Sequence, residues 1–425
     1  MNKIIKTKLS SSDIMSLTLL FALSFFLFAD QNLMAPNLTQ IANEFGFNQL
    51  DRDLKLGGEI SLVFWLVGGI ITIFFGYFTD SFSRKKLLIG SVLIGEIPCF
   101  LTGFVETYAQ LFWLRALTGI GIGAIIPITY SLIGDYFPST KRSSATAYLG
   151  LVVGMGIAAG QLLAGITGPI YGWKISFIIV AIPNFIILFL YFLFGTEPLR
   201  GRSDSGNVKS KKISILSLKE IFKKRTNVLI FLQGIAGTVP WAVFFVYLND
   251  YLSQDIGYSV QIATIVVSVI GLSAIAGAFI GGLVGNKLYN IKPLYQPIFS
   301  AVCTFIGVIP TAFLINLTPA ENTEALNTFY PLILGAFSGF FITITAPNMK
   351  AILMNVNHSK SRGSAFALYN LADDLGRGFG PFVISIFILS FGRQLGFNIA
   401  NLIWLICGLF ILLISRTYEK DEIGV

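Results

Sequence analysis

Apolar runs about as long as a bilayer is thick recur through the whole chain, and no other feature restricts the fold so severely. A helix needs ~20 residues to cross the hydrocarbon core. Twelve such runs can be drawn, near 14–36, 59–79, 87–105, 108–134, 145–168 and 174–194, then 228–251, 261–284, 294–316, 328–349, 363–390 and 394–415. In lipid every backbone N–H and C=O must find its partner inside the segment, so runs of this length fold as helices. The 425 residues are 54% apolar and only 12% charged, too little polar surface for a soluble core of this size. An all-α polytopic membrane protein is predicted, and an even number of crossings places both termini on one side.

The bases orient it. With the termini and the even-numbered turns in the cytoplasm, 24 of the 30 Lys and Arg fall there, as the retention of positive residues on that side requires. Only Arg52, Lys55, Lys174 and Arg393 fall on the other side, and Arg115 and Arg377 lie inside spans. The same distribution accounts for the net charge of +8 without nucleic acid, since the bases sit in short turns and tails and form no basic domain. Met1 to Lys8 is basic but lacks a small-residue cleavage site after the first apolar run, so that span is expected to be retained. Cys99, Cys303 and Cys407 lie in apolar runs without paired spacing, which indicates neither a disulfide framework nor a zinc site. The single histidine, His358, sits in a turn, and no nucleophile elbow, metal-spaced ligand set or Gly-Lys phosphate loop is present, so the chain does not read as an enzyme or as driven by ATP. No cofactor is expected. A receptor that moves no solute is the remaining competitor.

Thr196 to Thr226 is polar, rich in Ser, Gly and Lys, and divides the chain in two. Within it Ile215, Leu218 and Phe222 recur at helical spacing beside Lys219 and Lys223, a pattern that suits either a helix on the inner leaflet or a solvated linker. The halves repeat. Arg142 to Ala147 answers Arg362 to Ala367 at an offset of 220, and Pro127 and Gly160 map to Pro347 and Gly380. Gly76 and Asp80 are echoed by Gly282 and Asn286 at an offset of 206, so the second half gains residues between these points, with Leu317 to Asn327 the natural place. The predicted domains are a six-helix bundle over 1–195, a cytoplasmic linker over 196–226 and a second bundle over 227–425, pseudo-symmetric around a central cavity.

Between the second and third spans, Gly76-Tyr77-Phe78-Thr79-Asp80-Ser81-Phe82-Ser83-Arg84-Lys85-Lys86 crowds one acid and three bases into a turn. Glycine at 76 permits close helix approach, and Asp80 and Arg84 are spaced to clamp neighbouring elements. The frame resembles the signature loop of the major facilitator superfamily of secondary transporters, with Ser81 where a basic residue is usual and Ser83 where a glycine is usual. Arg115-x-x-x-Gly119-x-Gly121-x-Gly123 resembles that superfamily's fourth-helix motif, whose arginine is associated with proton movement. Gly154, Gly156, Gly160 and Gly165 resemble its antiporter motif, although Gln161 stands where a proline is usual; the second half keeps Gly380-Pro381. Leu232-Gln233-Gly234, Val239-Pro240-Trp241, Leu248 to Leu252, Gly134 to Pro138 and Asp30 are similar to the Spinster branch, which is associated with lysolipids and sphingosine phosphates. Gln31 and Ile122 depart from that branch.

Ionisable residues at mid-bilayer cost at least ~2.5 kcal/mol each and mark function by default. Six stand out: Asp30, Glu96, Arg115, Asp373, Asp374 and Arg377. Asp30 and Arg115 fall at similar depth and are expected either to pair as a proton-coupling switch or to fix helix register as a static ion pair. In the switch the carboxylate is ionised beside the arginine and takes up a proton when moved away in a desolvated cavity. Asp373 and Arg377, one turn apart, are expected to neutralise each other, with Asp374 pointing elsewhere. The resemblance further implies a cytoplasmic gate of Gly76, Asp80, Arg84, Asp135, Asp373 and Arg377, with Arg84 reaching Asp135. The alternative places Asp374 and Arg377 in the substrate cavity with Asp30, Arg115, Gln161 and Gln233. The aromatic residues Trp241, Phe245 and Tyr369 suit an amphipathic solute there, and equally suit packing. Glu96, beside Pro98, is a candidate for snorkelling, a kink or a protonated state.

The function expected is proton-coupled secondary transport of a small amphipathic solute, a lysolipid among the candidates, by a monomer in a bacterial inner membrane; a multidrug or organic-ion transporter is the alternative. At ~100 mV one inward charge supplies about 2.3 kcal/mol, enough for a roughly 50-fold solute gradient.

Overall fold

The computed structural model describes residues 9–200, 202, 220–318, 328–357 and 361–422. Among them there is no strand, and eleven stretches are long and apolar enough to cross a membrane. The helices are α1 Ser11–Ala29, α2 Leu38–Glu44, α3 Ile60–Ser81, α4 Arg84–Thr102, α5 Tyr108–Tyr136, α6 Ser139–Tyr171, α7 Lys174–Phe194, α8 Arg225–Gln254, α9 Val260–Ile291, α10 Tyr295–Ile315, α11 Phe329–Thr343, α12 Thr345–Val356, α13 Arg362–Phe391 and α14 Arg393–Asp421. Each of the twelve predicted runs is met by helix, with α9, α12 and α14 running six or seven residues past the drawn ends. The run missing from the eleven is α4, nineteen residues long, which opens on Arg84, Lys85 and Lys86 and carries Glu96. Apolar side chains such as Ile186, Phe189, Phe192 and Phe194 stand exposed on α7, where lipid rather than water is their natural solvent.

Two helices break where the sequence says they must. Pro347 has no N–H and its ring collides with the carbonyl four residues back; that residue is Thr343, where α11 ends, and Pro347 falls in the first turn of α12. The first span gives way to a 3-10 turn at Asp30–Asn32 and another at Ala35–Asn37 around Pro36. The second span opens on a π-helical stretch, Arg52–Glu59.

Contacts divide the chain into two compact units that do not follow the sequence halves. One comprises 1–33, 70–160 and 174–210, the other 34–69, 161–173 and 211–425. The 213–222 stretch considered for an inner-leaflet helix lies outside the described residues as far as 219, and so do 319–327 of the polar insertion and His358.

Glycine sets the helix spacing inside each unit. In the first, a Cβ on Gly156 would fall 2.2 Å from the Phe25 carbonyl oxygen, and one on Gly160 would fall 1.9 Å from that of Ala29, so α6 lies backbone to backbone on α1. In the second, a Cβ on Gly376 would meet the Ile235 carbonyl oxygen at 2.5 Å, and one on Gly380 would meet that of Val239 at 3.0 Å, bringing α13 onto α8. The glycines correspond at the offset of 220 seen in the sequence. The duplication is therefore a duplication of packing. Gly76 behaves differently: its missing side chain faces open space with nothing within 4 Å, so the close approach expected there is not made. Among the described residues, that face of α3 has no neighbour at Gly76.

Another close crossing joins α4 to α5. A Cβ on Gly121 would sit 2.4 Å from Gly95 Cα, against backbone that cannot yield. Gly121→Ala should therefore destabilise the fold by about 1–3 kcal/mol, read as a lowered thermal unfolding midpoint in detergent, whereas Gly134→Ala, in open space, should leave the midpoint unchanged.

Candidate functional site

In the first unit the α4–α5 crossing gathers three buried ionisable groups. Asp30 caps α1, where the last helical carbonyls lack partners. Arg115 of α5 supplies them, its Nη1 donating to Asp30 Oδ1 at 2.6 Å and its Nη2 to the carbonyl oxygens of Asp30 at 3.3 Å and Gln31 at 3.4 Å. A cation at a helix C-terminus also meets the negative end of the dipole. The guanidinium lies 5.6 Å from the Phe177 ring. Glu96, one residue beyond Gly95, is fully buried and accepts a hydrogen bond from Asn184 Nδ2 of α7. Two carboxyls thus share a pocket with one guanidinium.

At the other end of α4 in the same unit, Arg84 is fully engaged. Its Nη1 pairs with Asp135, as expected, its Nε donates to Glu197 Oε1 at 3.2 Å and its Nη2 to the Pro198 carbonyl at 2.8 Å. Glu197, which sequence reasoning passed over, also receives the backbone N–H groups of Arg84 and Lys85 and the Ser83 hydroxyl, the last at 2.6 Å. It is the anion at the positive end of α4. Burial by itself pushes this carboxyl up, but the hydrogen bonds from Ser83, Arg84 and Lys85 outweigh it and hold it below the ordinary glutamate value. The side chain of Asp80, the other half of the expected clamp, lies outside the described residues.

The second unit holds a buried ion network that the sequence did not suggest. Arg393, at the start of α14, donates to Asp53 Oδ1 at 2.5 Å and Oδ2 at 2.9 Å, to Asp250 at 2.8 Å and to Asp255 at 2.9 Å. Arg52 bridges Asp53 at 3.1 Å and Asp250 at 3.3 Å and donates to the Thr39 hydroxyl at 2.8 Å. The Tyr247 hydroxyl reaches the Asp53 carbonyl at 2.9 Å, and its ring fills the space left by Gly57. These groups stand at the ends of α8 and α14 and in the π-helical entry to the second span. A signal was present: Arg52 and Arg393 are two of the four bases expected on the side where bases are rare, and Arg52 is flanked by Asp51 and Asp53.

Deeper in this unit Arg377 Nη1 donates to Asp374 Oδ1 at 3.3 Å, so the expected Asp373–Arg377 pair is replaced by a pair with the neighbouring acid. Arg377 leans over the Trp65 ring at 5.0 Å, on the face where Asp374 packs against Gly69, while Asp373 turns toward Gly234. Lys350 lies within electrostatic reach of Asp373 and Arg377. Drawn as a turn residue by the 328–349 boundary, it belongs to α12.

The remaining residues expected in a substrate cavity are packed. Gln233 is buried, its amide donating to the Ile230 carbonyl at 3.0 Å and its carbonyl facing Cys407, so it braces α8 on α14. Trp241 and Phe245 meet with ring centroids 4.9 Å apart and planes tilted by 54°, beside a small apolar hollow with Trp404, and the hollow has room for about one water. Tyr369 and Gln161 are buried too.

Residues 20–326 match the Major Facilitator Superfamily. The cis,cis-muconate transport protein of Acinetobacter baylyi is 23% identical over 399 residues, 92% of this chain and 92% of that protein. Protein spinster of Drosophila melanogaster is 21% identical over 350 residues, 78% of this chain and 55% of its own length. The structure of a bacterial homolog to the human lysosomal transporter Spinster, inward-facing and unoccupied, superposes with a TM-score of 0.85 at 18% identity, covering 98% of this chain and 99% of that one.

Removing the hub of the network should be costly. Arg393→Met leaves Asp53 and Asp250 without their chief partner and should lower stability by about 3–5 kcal/mol, and adding Asp53→Asn should restore part of it in a double-mutant cycle by chemical unfolding in micelles. Glu197 stabilises above about pH 4.3, the ordinary glutamate value, and its contribution is lost as pH falls through its lower folded value. Glu197→Gln should therefore lower the unfolding temperature at pH 7 by clearly more than at pH 3; equal losses would contradict the assignment.

Proposed function

Because the chain belongs to the Major Facilitator Superfamily as a multi-pass secondary transporter of small solutes and not an enzyme, we propose that it carries an amphipathic organic solute, of lysolipid type, by proton-coupled alternating access. In this reading residues 1–195 and 227–425 are the two bodies that rock, and the monomer sits in a bacterial inner membrane with both termini in the cytoplasm. The proton gradient is its energy source.

The observation that carries the reading is the buried pair of Asp30 and Arg115, whose side chains meet at 2.6 Å where α1 loses its helical geometry. An ion pair at a helix break can be opened by a small change in backbone, and a carboxylate parted from its arginine in a dry setting takes up a proton. Arg84, Asp135 and Glu197 form the fixed side of a cytoplasmic gate with Gly76 and Asp80, and Asp373, Asp374 and Arg377 contact the solute or the gate. The resemblance of Leu232 to Gly234, Val239 to Trp241 and Gly134 to Pro138 to the Spinster branch, which is associated with lysolipids, supports an amphipathic solute. An organic anion is the second reading, favoured by Lys350 and Arg377 beside the acids of α13 and by the likeness to a muconate transport protein. A thermal-shift screen of the purified protein separates them: stabilisation by lysolipid supports the first, by dicarboxylates the second.

Coupling is tested in proteoliposomes. Asp30→Asn should abolish solute-driven proton flux while solute exchange persists; coupled flux at the full rate in that variant would remove Asp30 from the mechanism.

A further inference from the structure

The Asp30–Arg115 pocket contains one acid more than its arginine can neutralise. Arg115 faces Asp30 and the carbonyls at the end of α1, whereas Glu96 meets only a neutral amide, Asn184. Glu96 and Asp30 lie close enough to act on each other electrostatically, and Cys99, one turn along α4, feels both of them and Arg115 while its thiol faces the Phe177 carbonyl. Those are the charged, titratable and amide groups that α1, α4, α5 and α7 turn toward this pocket among the described residues.

Three atoms carry the argument. Glu96 Oε2 is buried without a hydrogen-bond partner, and so is Asn184 Oδ1 across the same contact. Asp30 Oδ2, in the same pocket, also lacks one. An ionised Glu96 would leave one negative charge uncompensated away from water and two acceptors facing no donor. A single proton on Oε2 removes the charge and supplies the missing donor. A carboxylic acid and a primary amide each present one donor and one acceptor on adjacent edges, so the protonated acid and Asn184 satisfy each other in both directions. A bound sodium ion would need several oxygens converging on one point; a proton needs only this pair.

We propose that Glu96 is a second proton-binding site, a neutral carboxylic acid closed on the Asn184 amide, and that the Asp30–Arg115–Glu96 group holds one proton, which the transport cycle exchanges. Proton binding forms one O–H bond at Glu96 and cancels one charge; release reverses it. Arg115 serves one carboxyl and the proton serves the other. The exchange part rests on the proton coupling proposed above, whereas the protonation of Glu96 at rest does not.

The experiment is infrared spectroscopy of the full-length protein in nanodiscs at pH 7, without solute or gradient, using carbon-13-labelled glutamate. A protonated carboxyl band that moves with the label, vanishes in Glu96→Gln and shifts to higher wavenumber in Asn184→Leu is expected. Glutamine keeps an amide edge toward Asn184, so Glu96→Gln should fold. No such band in the wild type, its survival in Glu96→Gln, or its loss when sodium chloride replaces choline chloride would each overturn the site. In proteoliposomes Glu96→Gln should lose about one proton per solute moved, and an unchanged ratio would overturn the exchange. A wild type that shows the band yet couples no protons would defeat the coupling alone; coupled flux without the band would defeat Glu96 alone.

Discussion

The ion network centred on Arg393 is the interaction on which the second unit turns. Arg393 and Arg52 with Asp53 and Asp250 place four charges out of water, and each is matched by an opposite charge at hydrogen-bond distance. Asp255 joins from a half-exposed position. Such a group is weak evidence for stability, because desolvation offsets most of the attraction. It is strong evidence for a specific arrangement, because removing any one member leaves the rest unmatched. It ties the π-helical entry of the second span to the ends of α8 and α14, segments hundreds of residues apart in the chain. Under the proposed alternating access, any parting of those ends has to open the network as a whole.

The same constraint explains the first unit by other means. There the charges are fewer and the glycines matter more. Gly156 and Gly160 bring α6 to α1, and Gly121 and Gly95 bring α5 to α4; only with the helices this close do Arg115, Asp30 and Glu96 occupy one pocket. The 3-10 turn after α1 leaves carbonyls unmatched, and Arg115 fills them. A break in a membrane helix, which lipid would penalise, becomes the place where a cation is held.

Partners were read with uneven success, and the failures have a common cause. Arg84 with Asp135 and Arg115 with Asp30 were expected and are formed. Asp373 and Asp374 are adjacent, and both the i+3 and i+4 spacings to Arg377 are compatible with pairing; the Trp65 ring and Gly69 decide for Asp374. Lys350 falls one residue beyond the drawn run 328–349, whereas α12 continues the helix to Val356. Glu197 and Asn184 carry no motif at all. Each is polar at the edge of or within an apolar run, and its importance comes from what α4 brings to it.

The sequence by itself determined the helices, their order, the internal duplication and the membrane setting. These follow from quantities that run along the chain: the length of an apolar run against the thickness of a bilayer, the position of a proline, the offset between two similar stretches. Only the tertiary structure decided which charge meets which, that a side chain at Gly76 would face open space while one at Gly121 would strike backbone, and that Glu96 faces an amide instead of an arginine. Those outcomes turn on distances of an ångström or less between segments remote in sequence, and on which side of a helix a residue falls once its neighbours are packed. A linear pattern holds no record of either.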